Sequence, residues 1–161
     1  MRNKKIATSA LMIALAMILS FVESQIPSFF PIPGIKLGLA NIAVIFALYR
    51  LSIKDAIVVS LIRVVVVSTL FGTSLTLAYS LSGAVLSLLI MVLLKKSDRF
   101  SIVGVSVAGG ISHNIGQIIM AIILMHNSVI SYYLPFLIIS GIVTGVVIGL
   151  VSAKIVERVK I

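Results

Sequence analysis

Residues Glu23 to Asn41 read ESQIPSFFPIPGIKLGLAN, and how this stretch is read decides the fold. It holds Pro27, Pro31 and Pro33, three of the 4 prolines in the chain, followed by Gly34 and Gly38. Proline has no backbone N–H and fixes its own φ, so neither a helix nor a paired strand runs through positions 27–33. Yet Ile26, Phe29, Phe30, Ile32, Ile35 and Leu37 make the stretch more apolar than a solvated loop. Apolar, non-helical backbone at a membrane is stable only where protein buries it or where it lines a wet cavity. A re-entrant lid between two membrane helices is the expectation.

The flanking sequence fits that setting. Hydrophobic residues make up 60% of the 161, charged residues 11%, and the mean hydropathy is +1.28, a make-up foreign to soluble domains. The net charge of +9 is read as cations flanking apolar runs rather than as a nucleic-acid surface. The absence of cysteine excludes a disulfide, a thiolate metal site and a cysteine nucleophile. Arg2-Asn3-Lys4-Lys5 before an apolar run imitates a secretory signal, but the run from Ile6 to Val22 is long, and Ala14 to Ala16, the Ala-x-Ala element, lies inside it. An uncleaved first helix is expected.

Six apolar segments follow one another, each near the roughly 20 residues that cross about 30 Å of hydrocarbon. They run from Lys5 to Val22, Leu37 to Tyr49, Asp55 to Phe71, Leu75 to Leu94, Ile102 to Met125 and Tyr132 to Val156. The second is short, reaching about 20 Å at about 1.5 Å per residue, so the proline-rich stretch is expected to complete that span. The predicted architecture is an all-α, integral membrane six-helix bundle forming a single transmembrane domain over 1–161. With the N-terminus inside, Arg2, Lys4, Lys5, Arg50, Lys54, Lys95, Lys96, Arg99, Lys154, Arg158 and Lys160 all fall on the inner side. That places both termini in the cytoplasm, the lid outside, and the chain in the cell membrane as a multi-pass protein.

Polar residues inside the helices cluster. Thr76, Ser80, Gly83 and Ser87 recur at helical spacing in the fourth segment with Tyr79 beside them, and Ser106, Gly110, His113, Asn114 and Gln117 share one side of the fifth. Together with Glu23, Lys36 and Asn41 they sketch an outward polar pocket beneath the lid. Such residues also serve simply to bond one helix to the next. Arg63 is the sharpest signal, because a guanidinium inside the bilayer costs between about 2.5 and more than 10 kcal/mol and needs a partner. Three partners are open to it: Glu23, backbone carbonyls freed by the loop, or an anionic ligand whose two oxygens its planar fork would grip. The candidate substrate-binding residues are Glu23, Lys36, Asn41, Arg63, Tyr79, His113, Asn114 and Gln117.

The run PIPGIKLGLANIAVIFAL, following a first helix that ends in Glu23 and preceding Arg63, resembles the signature of the Gx transporter family. Its members are widely labelled heptaprenyl diphosphate synthase component I. The likeness covers essentially the whole chain, and Gly34-Ile35-Lys36-Leu37-Gly38-Leu39-Ala40-Asn41 is its most specific part. The family in turn resembles the S components of energy-coupling factor transporters, six-helix proteins that bind a vitamin or precursor from outside and rely on a separate ATPase module. The resemblance implies a pocket or lid role for the Gly34–Asn41 block, and transmembrane and ATPase subunits as partners. Ala10 and Ala14, reinforced by Ala7, resemble the Ala-x-x-x-Ala face that S components present to their partner. Gly141, Gly145, Gly149 and Ala153 form a longer ridge, read as packing inside the bundle.

The synthase label can be tested against chemistry. Prenyl-chain elongation needs Mg²⁺ held by clusters of aspartates, whereas this chain has Asp55 and Asp98, far apart in sequence. There is no P-loop, no Ser-His-Asp set around His113 or His126, and no Cys/His metal spacing. His113 reads as a hydrogen-bonding or ligand-contacting residue and His126 as an interfacial loop residue. The expectation is a binding subunit that is not an enzyme and carries neither cofactor nor metal. It would take up a small, anionic, vitamin-like or isoprenoid-precursor-like molecule and bind no nucleic acid. Three other roles stay open: a membrane accessory subunit of heptaprenyl diphosphate synthase, a membrane subunit of a flavin-linked electron-transfer system, and a purely structural scaffold.

Overall fold

The computed structural model of the chain describes residues 2–25 and 37–159, with side chains from Ile6 onward. The proline-rich part of the expected lid, with Pro27, Pro31, Pro33, Gly34 and Lys36, lies outside the described residues. In chain order come α1 (Arg2–Gln25), α2 (Asn41–Phe46) with a π-helical continuation (Ala47–Leu51), α3 (Ile53–Phe71), α4 (Ser74–Lys96), α5 (Ile102–Met125), a 3-10 stretch (Ser128–Tyr133) and α6 (Leu134–Arg158). The all-α expectation holds, with no strand among the described residues.

Four segments, Ile6–Gln25, Ser74–Lys96, Ile102–Met125 and Ser128–Arg158, are long and apolar enough to cross a membrane, and the chain is a multi-pass membrane protein. The other two expected spans differ in kind. α3 has 19 residues but carries Lys54, Asp55 and Arg63. α2 and its continuation, 6 and 5 residues, reach only about 16 Å.

This short helix is the centre of the bundle. Ala43, Val44, Ile45, Phe46, Ala47 and Leu48 are all buried, and α1, α3 and α6 pack around it. A helix apolar on every side belongs in an interior. Its start differs from the expected Leu37: it begins at Asn41, because Gly38 turns the chain at φ 74°, a conformation glycine adopts without strain.

Caps fix the other helix ends. Ser52 accepts the Asp55 N–H at 3.2 Å before α3, and Ser101 accepts the Gly104 N–H at 3.1 Å before α5. α5 stops at His126, which takes the left-handed conformation at φ 48°. Thr76, expected along a pocket stripe, is instead exposed and closes a capping box at the start of α4: its hydroxyl accepts the Thr73 N–H at 2.6 Å and donates to the Thr73 carbonyl at 2.7 Å.

Small residues let α5 and α6 approach backbone to backbone. A Cβ on Gly110 would stand 2.7 Å from the Gly141 carbonyl, one on Gly145 2.7 Å from the Val107 Cα, and one on Gly149 2.8 Å from the Val103 Cα. The glycine ridge of α6 is thus internal packing, as its spacing suggests. At one end of the bundle Arg50 donates to the Val156 carbonyl through Nε at 2.7 Å, Lys95 donates to the Leu48 carbonyl, and Ser9 donates to Asp55 at 3.1 Å. The final carbonyls of a helix lack partners within it, and these cations supply them. The Lys95 ammonium also lies 5.2 Å from the centre of the Tyr49 ring. At the other end of α3, Phe71 meets Phe21 of α1 with ring centres 5.2 Å apart.

Candidate functional site

The half-buried carboxylate of Glu23, in the last turn of α1, accepts the Gly38 N–H on Oε1 at 2.8 Å and the Leu39 N–H on Oε2 at 3.1 Å. These donors belong to the turn leading into α2, where N–H groups have no helical partner and a negative charge is favoured. Asn41 then opens α2 at the lip of a cavity of about 60 Å³. Glu23, Gly38, Asn41, Arg63 of α3, Gly110, His113, Asn114 and Gln117 of α5, and Thr144 of α6 line it. The α5 positions are spaced 3, 1 and 3 residues apart, which brings them onto one helix face.

Each side chain is held differently. Asn114 donates through Nδ2 to the Leu137 carbonyl of α6 at 2.6 Å. Thr144 donates to the Ser140 carbonyl at 2.9 Å, the usual back-bond of a helical threonine. His113 and Gln117 lean on Gly83 of α4, where a Cβ would stand 3.0 Å from the His113 ring and 3.0 Å from the Gln117 Cγ. Arg63 contrasts with these neighbours. Its Nε is buried and has no hydrogen-bond partner, although the charge of Glu23 acts on it across the cavity. An unmet buried donor costs about 1–3 kcal/mol, and more on a charged group.

A family model described as heptaprenyl diphosphate synthase component I matches residues 12–155. The chain belongs to the heptaprenyl diphosphate synthase component I family. Every lining residue of the cavity falls within the matched span. No curated protein and no solved structure matches the chain.

In this member of the component I family, six of the eight candidate site residues, Glu23, Asn41, Arg63, His113, Asn114 and Gln117, meet around one cavity. Lys36 lies outside the described residues. Tyr79 is not among the lining residues; its hydroxyl is buried without a hydrogen-bond partner. Thr144 escapes sequence reasoning, and the one signal for it is a hydroxyl three residues after Gly141 in a strongly apolar helix. Of the expected docking pair on α1, Ala10 is exposed and Ala14 half-buried.

Proposed function

We propose that this chain is a membrane subunit that binds a small anionic molecule and hands it on in company with a partner. The observation that carries the reading is Arg63: a guanidinium whose Nε lacks a hydrogen bond, facing a cavity that also holds Asn41, Gln117 and His113. A buried cation left this way is poised for two anionic oxygens. The fuller form of the proposal is an S-component-like transport subunit: six crossing segments, both termini cytoplasmic, in the cell membrane, with Ala10 and Ala14 meeting a transmembrane partner of an ATPase module.

A second reading, an accessory membrane subunit of heptaprenyl diphosphate synthase, is favoured by the family description. In either case the chain is proposed to be non-catalytic. Among the described residues no three His, Asp or Glu side chains converge as metal ligands, so the Mg²⁺ chemistry of prenyl transfer would belong to the partner. The deciding experiment is to extract the chain from its native membrane and identify the small molecules and proteins that accompany it by mass spectrometry. An organic anion together with an ATPase module supports transport, and a soluble prenyl synthase supports the second reading. A bound flavin, seen in the absorption spectrum, would replace both with an electron-transfer role.

A further inference from the structure

Arg63 offers its cavity hydrogen-bond donors, and two of the residues around it offer the reverse. Thr144 of α6 lines the cavity, and the one hydrogen of its hydroxyl is committed to the Ser140 carbonyl at 2.9 Å. A hydroxyl used in this way keeps its lone pairs, so Thr144 meets a ligand as an acceptor only. Close helix packing fixes its place. Three residues earlier, Gly141 lies against α5, where a Cβ would stand 3.1 Å from the Gly110 carbonyl oxygen and 3.1 Å from Nδ2 of Asn114. One turn before that, the bond from Asn114 to the Leu137 carbonyl at 2.6 Å ties the same two helices together.

Glu23 is the second acceptor. A carboxylate has about four lone-pair sites, and here the Gly38 and Leu39 N–H groups occupy one on each oxygen, at 2.8 and 3.1 Å. Those bonds run to the turn rather than to Arg63, so carboxylate and guanidinium line one cavity without closing on each other, and the buried Nε–H of Arg63 keeps no partner. A ligand that satisfies both sides carries an anionic group for Arg63 and a donor for Thr144 and Glu23. A protonated amine suits the second place best, because it brings three hydrogens and a charge opposite to that of Glu23.

We infer that the cavity receives an acid that also carries a protonated amine, its anionic group on Arg63 and its amine on Thr144 and Glu23. This rests on the anion-binding role proposed for Arg63 and adds the ligand's second group. Thr144 then determines specificity, since a site that hydrogen-bonds an N–H of its ligand selects against the analogue that lacks it.

The test uses the full chain in an uncharged detergent, labelled with ¹⁵N-arginine, and follows the Nε–H resonance of Arg63. The chain has five arginines, Arg2, Arg50, Arg63, Arg99 and Arg158, and the signal is assigned by its loss in Arg63→Lys. Acetate, propionate and butyrate are titrated at neutral pH beside the amino acids of the same chain length, glycine, β-alanine and 4-aminobutyrate, so that the series also measures the spacing between the two groups. At least one amino acid is expected to bind about ten-fold or more tightly than its matched acid, because hydrogen bonds to charged groups are the strong kind. Thr144→Val, close in shape but without the oxygen, should remove much of that advantage and leave the simple acid unaffected, while Thr144→Ser keeps it. Amino acids that bind no better than the simple acids overturn the inference while leaving anion binding at Arg63 intact, and an advantage undiminished in Thr144→Val overturns the role of Thr144. A resonance that none of the six compounds moves overturns the anion-binding reading as well.

Discussion

Glu23 grips Gly38 across fifteen residues of chain, its Oε1 accepting the Gly38 N–H at 2.8 Å while Oε2 takes the next N–H at 3.1 Å. The end of α1 is thereby tied to the entrance of α2, whatever the chain does between them. Hydrogen bonds to charged groups contribute about 1.5–3 kcal/mol each, so Glu23→Ala should lower stability by about 2–4 kcal/mol. Glu23→Gln keeps one acceptor and should lose about half as much. Amide hydrogen exchange at Gly38 and Leu39 is the direct readout. Unaltered exchange in the alanine variant would show that the contact does not hold the turn.

Arg63→Ala should weaken binding of the co-purifying anion by about 2–5 kcal/mol, the cost of removing one member of a buried charge pair, while the protein still inserts and folds. Lysine should restore only part of the affinity, because it offers a point charge rather than a planar fork. Calorimetric titration of the three proteins checks this. Full affinity in a folded Arg63→Ala protein would remove Arg63 from the site, and failure to fold would make it a structural residue.

Asn114 lines the cavity, yet its amide already bridges to the Leu137 carbonyl at 2.6 Å. Interhelical bonds of this kind contribute about 0.6 kcal/mol on average and up to about 1.7 kcal/mol. Asn114→Ala is therefore expected to lower the thermal midpoint modestly while changing affinity far less than Arg63→Ala does. A loss of affinity equal to that of Arg63→Ala would instead make Asn114 a direct ligand contact.

Two small-residue faces should respond in opposite ways to bulk. Gly145→Leu drives a side chain into the Val107 backbone, 2.7 Å from where its Cβ would stand, and should prevent stable folding in detergent. Ala10→Trp with Ala14→Trp alters a face that is exposed at Ala10 and half-buried at Ala14. The double variant should fold and bind the anion normally yet fail to co-purify with the partner. Loss of binding together with loss of assembly would refute the docking role. Size-exclusion chromatography and a pull-down separate these outcomes.

Much of this fold is legible from hydropathy and punctuation, because hydrocarbon thickness sets helix length and Gly, Pro and capping hydroxyls set the ends. α5 is found at Ile102–Met125, the bounds its apolar run and flanking Ser101 and His126 indicate. The start of α2 is not legible, since Leu37 to Ala40 is as apolar as the helix it precedes. What holds those residues out of the helix is the φ of Gly38 and a carboxylate far back along the chain, a tertiary contact that no local window contains. The polar face of α5 could be read from spacing alone, and Arg63 from the cost of its burial. In α4 Thr76 belongs to a similar stripe with Tyr79 beside it, but capping claims the first, and the second does not line the cavity. Periodicity reports which side of a helix is polar, not which neighbour that side meets.

The central position of α2 also constrains how the protein is made. α2 leaves the ribosome early, yet Arg50 at the end of its π-helical turn finds the Val156 carbonyl 106 residues later, almost the last helical turn to be synthesised. Until α6 is in place, the side of this largely apolar helix that packs on α6 lacks that neighbour, and Arg50 lacks the Val156 carbonyl. Closure of the bundle is thus a late, long-range event. Loss of the final turn of α6 would undo it at the opposite end of the sequence, in a helix the truncation never touches.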